Sequence, residues 1–81
     1  MHSYEIMLLS IIDVKNFVNV VSRFDFDIDL VSGRYVIDAK SIMGIFSLDL
    51  SRPISARVYT ENTAEFERAI EPFLAKKQGQ S

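Results

Sequence analysis

The sequence predicts an α+β fold, an open-faced β-sandwich in the order β-α-β-β-α-β-α, with a four-stranded antiparallel sheet carrying its helices on one face. Three observations point there. Phe26, Ile28 and Leu30 alternate with Asp25, Asp27 and Asp29, and Ile54, Ala56, Val58 and Thr60 alternate with Ser55, Arg57 and Tyr59, the period of half-buried strands. Val14, Phe17, Val18 and Val21 repeat at helical spacing, as do Phe66, Ala69, Ile70, Phe73 and Leu74. Each helical segment is apolar on one side only, so helices of this kind cover one face of a sheet and leave the other to solvent.

Size and composition set the frame. The chain has 81 residues, enough for one domain, expected over residues 1–75 with a polar, flexible tail over 76–81. A chain of this size buries about 60–65% of its unfolded surface, so its core must be efficient; with 48% hydrophobic residues it has the material. There is no cysteine, hence no disulfide and no thiolate metal site, which favours a reducing cytoplasm. The apolar run Ile6 to Ile12 is interrupted by Ser10, is too short to span a bilayer, and lacks the basic leader of a signal peptide; it reads as a buried strand. Net charge is −2 and the Lys and Arg residues are scattered, so neither nucleic acid nor a membrane surface is an expected partner.

Taken in order, Tyr4 to Leu9 is the first strand, and Asp13 serves as N-cap of the first helix, whose inner stripe runs from Val14 to Phe24 with Val20 beside it. Its valines are weak helix formers, so burial rather than propensity must hold it. Ser32-Gly33 turns the second strand into a third, Arg34 to Ala39. Ser41 caps a short helix over Ile42 to Leu48, Asp49 to Pro53 is a loop, and the fourth strand follows. Asn62 and Glu65 have the spacing of a capping box for the last helix, in which Pro72 predicts a kink or break.

Few residues carry chemistry. With three glycines, at 33, 44 and 79, no glycine-rich loop can cradle a nucleotide. The lone histidine, His2, is expected to be solvated and poorly ordered at the N-terminus, and general-base work has no other histidine. Asp25, Asp27 and Asp29 fall on one face of an extended strand, unlike a calcium loop, and read as a solvated face pairing with Arg34 or Arg57. No metal or cofactor is expected. The Ser41 segment differs. A serine at a helix start is most often a cap, yet Ile42, Met43, Ile45, Phe46 and Leu48 make the short helix too apolar for one buried face, which suggests a docking patch. Gly44 is costly in a helix and is expected to allow close backbone approach. A phosphate on Ser41 would meet the N–H groups of the helix start and set nearly two negative charges beside the patch.

The run Asp38-Ala39-Lys40-Ser41-Ile42-Met43-Gly44-Ile45-Phe46-Ser47-Leu48 closely resembles the regulatory-serine segment of the HPr family, phosphocarrier proteins of the bacterial phosphoenolpyruvate:sugar phosphotransferase system. The likeness extends to Phe17-Val18, Phe24, Asp27-Ile28 and the Gly33 hairpin, and more weakly to the final strand and helix. The resemblance implies the open-faced fold, phosphorylation of Ser41 by HPr kinase/phosphorylase, and contact of Ile42, Met43 and Phe46 with protein partners such as a catabolite-control repressor; the apolar patch itself adds Ile45 to the expected partner surface and also permits a homo-oligomer. The family carries its phosphoryl group on a histidine in a His-x-Arg-Pro pattern. Counted back from Ser41, that pattern falls on Ser10-Ile11-Ile12-Asp13, so histidine and arginine are both missing, as the histidine is in the family's catabolite-repression form. Ser10 occupies the carrier position. The expectation is a regulatory protein that docks partners rather than an enzyme or a histidine carrier. The alternatives are a carrier using Ser10 or His2, or an interaction module of the same fold outside the sugar system.

Overall fold

The computed structural model describes residues 1–75; the expected tail, 76–81, lies outside the described residues. The elements are β1 (His2–Ile6), α1 (Ile11–Val21), β2 (Ile28–Ser32), β3 (Tyr35–Asp38), α2 (Ile42–Phe46), β4 (Ile54–Val58) and α3 (Ala64–Ile70), which runs on into a 3-10 turn over Glu71–Phe73. The strands form one antiparallel sheet in the order β1-β4-β2-β3. This is the predicted architecture, with the helices packed on one face.

Alternation decides which residues the sheet buries. Ile6, Ile28, Leu30, Ile54, Ala56 and Val58 point to the helices and are buried, joined by Val14, Phe17 and Val21 from α1, Ile45 from α2, and Phe66 and Ile70 from α3. Phe17 meets Phe73 edge-on with ring centres 5.4 Å apart. Phe24, Phe26 and Phe66 form an aromatic cluster on the same side. Pro72 ends the regular helix at Ile70 by withholding a donor, and the chain tightens into the 3-10 turn, as its position predicted. Gly33 has φ 59 while Arg34 does not go positive, which is the pattern of a two-residue type II′ hairpin turn.

Several boundaries differ from expectation. β1 ends at Ile6, and of the apolar run to Ile12 only Ile6 and Leu8 are buried; Leu9, Ile11 and Ile12 are exposed. The first helix is capped by Ser10 rather than Asp13. Asp13 lies at the third helical position, and the actual inner stripe starts with Val14. His2 pairs in β1 opposite Val58 instead of standing apart from the fold. β2 begins at Ile28, so Asp25 and Asp27 precede the strand, and only Asp29 sits within it. Asp29 lies opposite Arg57 in register yet accepts a hydrogen bond from Tyr59 at 3.2 Å. Among the described residues the one ion pair, Arg52–Asp49 at 3.8 Å, is exposed and elsewhere. The last helix starts after Thr63 without a side-chain cap: Thr63 has ψ −2 rather than the extended backbone of a cap, and its hydroxyl donates to Glu67; the Asn62–Glu65 capping box does not form.

Candidate functional site

Two serines begin two helices, and both act as caps. Ser10 is extended at φ −153 and its Oγ accepts from the Asp13 N–H at 3.1 Å, while the Asp13 carboxylate reaches back to the Leu9 N–H at 2.9 Å. The pair is a reciprocal cap in which the carboxylate sits against the positive end of α1. Ser41 is likewise extended, and its Oγ accepts from the Gly44 N–H at 3.1 Å. α2 has no acidic residue in its first turn, so its start carries no carboxylate of its own.

The surroundings of Ser41 are tightly built. Its N–H donates to the Asp38 carbonyl at 3.0 Å, and the Asp38 carboxylate accepts from the Lys40 N–H at 2.9 Å, which folds the chain sharply from β3 into α2. The Lys40 ammonium donates to the carbonyls of Phe24 at 2.6 Å and Phe26 at 3.1 Å, tying this corner to the segment between α1 and β2. A Cβ on Gly44 would stand 3.2 Å from the Ser41 Oγ and 3.4 Å from the Ile37 side chain, so the expected close approach is real. Any larger residue would press on the hydroxyl.

The helix that follows divides its apolar residues between core and solvent. Met43 is 77% exposed, Phe46 is 41% exposed, and Ile42 is half-buried beside them. Ile45 is fully buried, at 0% exposure, so its assignment to the partner surface is wrong. It is the residue with which so short a helix packs into the core, together with Leu48 just beyond.

The position expected for a phosphate-carrying histidine is of another kind. Ser10 is exposed and is flanked by Leu9, Ile11 and Ile12, all exposed; Leu9 is 77% so. Beside it Met7, Leu9, Pro53, Pro72 and Leu74 line an apolar hollow of about 430 Å³, with Asp13 at its rim. Among the described residues no guanidinium or imidazole lines it. His2, at the start of β1, is separated from the far end of that strand by about 13 Å at the usual rise per residue, before the loop to Ser10 begins. Sequence reasoning missed the exposed triad of Leu9, Ile11 and Ile12. The available signal was their place around the α1 cap: Ile12 lies opposite the Val14–Phe17–Val21 stripe on a helical projection. Among the described residues no group of acidic or histidine side chains could hold a metal ion, and no helix is long and apolar enough to cross a membrane.

A four-stranded antiparallel sheet with helices on one face, the first and second of them serine-capped, defines a small open-faced α+β sandwich. A family model described as the PTS HPr component phosphorylation site matches residues 14–75, more than half of the chain, and the chain belongs to the HPr family. The matched stretch includes Ser41 and begins after Ser10. The crystal structure of HPr-C-His from Thermoanaerobacter tengcongensis is similar, with a TM-score of 0.75 and 25% sequence identity over 89% of each chain. No curated protein matches the sequence significantly. Members of this family are phosphocarrier components of the phosphotransferase system rather than catalytic enzymes.

Proposed function

We propose that this chain is a regulatory HPr-like protein of the bacterial phosphotransferase system, switched by phosphorylation of Ser41 and read by protein partners at Ile42, Met43 and Phe46. One observation carries the reading: Ser41, which matches the family's regulatory serine, caps a helix with no acidic residue in its first turn, beside the exposed Met43 and Phe46. At the carrier position a serine is already balanced by Asp13 and ringed by apolar side chains. A histidine relay has no residue to use there.

Phosphorylation moves the γ-phosphoryl group of ATP onto the Ser41 Oγ, breaking the bond to ADP and releasing the hydroxyl proton. The new group adds nearly two negative charges next to backbone N–H donors at a positive helix end. It also changes the charge beside Met43 and Phe46 without disturbing Ile45, so the docking face is altered while the core stays packed. The partners implied by the family are HPr kinase/phosphorylase and a catabolite-control repressor.

The test is two incubations, one with ATP and HPr kinase and one with phosphoenolpyruvate and enzyme I, with phosphate located by mass spectrometry. Acid-stable phosphate on Ser41 in the first, and its loss in Ser41→Ala, is the expected result. Acid-labile phosphate on His2, or transfer through Ser10, in the second would replace this reading with a carrier. No label in either would leave an interaction module of the same fold.

A further inference from the structure

The sheet treats its two edges differently. The outer edge of β1 is covered by the chain itself: Ile6 bridges to Leu74, the Met7 N–H donates to the Phe73 carbonyl at 2.8 Å, and the Ala75 N–H donates to the Glu5 carbonyl at 2.9 Å. The opposite edge, β3, has no such cover among the described residues. Bare edges template pairing with another strand unless they are blunted by proline, by bulges or by clustered like charge. β3 is short, at four residues, and ends in Asp38, but it has no proline and a regular register with β2, and it exposes Tyr35 at 68% and Val36 at 56%.

The register says which backbone groups of β3 are unpaired. The Ala39 N–H donates to the Ile28 carbonyl at 2.9 Å, so residues 28 and 39 form a bonded pair. Bonded pairs recur at every second position of an antiparallel ladder, so Leu30 with Ile37 and Ser32 with Tyr35 are bonded too. Tyr35 and Ile37 therefore spend their main-chain groups on β2, and those of Val36 point away from the sheet.

We infer that β3 is the self-association edge of this protein and pairs antiparallel with β3 of a second copy about a two-fold axis at Val36. Such an axis sets Val36 against Val36 as a bonded pair, Tyr35 against Ile37, and Arg34 against Asp38 of the second copy, the last contact occurring twice. The segment Arg34-Tyr35-Val36-Ile37-Asp38 is thus complementary to itself in charge as well as in hydrogen bonding. The two sheets merge into one of eight strands. The contact is short, so the dimer is weak and depends on concentration.

Sedimentation velocity of the full chain over rising concentration tests this, with folding of every variant checked by circular dichroism. The expected result is a reversible shift from one chain to two, with amide shifts on dilution centred on residues 34–38. Val36→Pro removes only an outward-pointing N–H and is expected to abolish the shift. Arg34→Asp and Asp38→Arg are each expected to stay single, because each sets like charges opposite one another, and an equimolar mixture of the two is expected to regain the dimer. A single-chain mass at millimolar concentration overturns the inference. So does a dimer that survives in folded Val36→Pro, or a mixture of the two folded charge variants that stays monomeric.

Discussion

The starts of α1 and α2 are built from the same local chemistry and differ in what stands around them. In both, a serine in extended conformation accepts the N–H of the third helical residue at 3.1 Å. In α1 that third residue is Asp13, whose carboxylate already occupies the positive helix end; in α2 it is Gly44, which brings no charge and whose missing side chain leaves the Ser41 hydroxyl and the Ile37 side chain undisturbed. At α1 the carboxylate belongs to the first helical turn and opposes an added phosphate there, whereas at α2 the Asp38 carboxylate lies before the helix, on the Lys40 N–H, and the first turn itself carries no negative charge. The apolar side chains nearby differ too. Around Ser10 the exposed triad stands beside an open hollow, and around Ser41 the apolar residues split between core and surface.

The split within α2 gives the largest expected effect. Ile45→Ala leaves a cavity in the core and is expected to cost about 2–5 kcal/mol, whereas Met43→Ala, at an exposed position, is expected to stay within about 0.5 kcal/mol. Chemical denaturation of the two variants measures this. Equal losses would mean that the surface half of the helix is structural and not free for a partner.

Next in size is the third helical position. Gly44→Val drives a branched side chain into the Ser41 hydroxyl and Ile37 and is expected to cost about 1–3 kcal/mol. It should also lower phosphorylation of Ser41, since the displaced hydroxyl loses its fixed place. Asp13→Ala, at the equivalent position of α1, removes a charge rather than adding bulk, and about 0.3–1 kcal/mol is expected for it. If Gly44→Val were fully stable and fully phosphorylated, the close approach would have no consequence for the site.

The caps themselves come third. Ser10→Ala and Ser41→Ala are each expected to lose about 1 kcal/mol of stability, the usual worth of a serine cap. They separate in chemistry, because only Ser41→Ala should abolish labelling by the kinase. Ser10→Ala labelled as fully as the wild type, with its stability reduced, would show that one cap is structural and the other functional.

Most of the frame was legible in the sequence because period and sidedness survive any local detail. The alternation in β2 and β4, the stripe from Val14 to Val21 and the break at Pro72 each report a physical constraint that the fold obeys. The helix starts were read less well. Ser10 and Asp13 are both good caps, and three residues decide which one begins the helix; the choice turns on Asp13 reaching back to Leu9, a bond that composition cannot show. Ile45 was misplaced for a related reason. A five-residue helix has too few turns for its apolar pattern to mark which residue faces inward, so tertiary packing settled it. Lys40 reads as an ordinary surface lysine until the Phe24 and Phe26 carbonyls are seen to converge on its ammonium.

The third helix start supplies the smallest effect and a control for the other two. At α3 the Thr63 hydroxyl caps nothing; it donates to Glu67, which also accepts from the Tyr4 hydroxyl and so joins β1 to α3. The Tyr4 bond, with help from Thr63, holds the Glu67 carboxyl below its ordinary value. Its contribution is therefore present above the ordinary glutamate pKa of about 4.3 and is lost as pH falls through the depressed folded value. Burial, then the bond to Glu67, raises the Tyr4 phenol, so its share is present below the ordinary value of about 10 and is lost as pH rises through the raised one. Tyr4→Phe should flatten both limbs of a melting-temperature profile against pH, and Glu67→Gln the acid limb. Profiles of Tyr4→Phe and wild type that run parallel through both ranges would show that the bond carries no stability. Ser41→Ala, by contrast, removes a cap and no titrating group, so its profile should lie below that of the wild type and parallel to it, which separates a cap that holds a helix by neutral hydrogen bonding from a contact that holds one by charge.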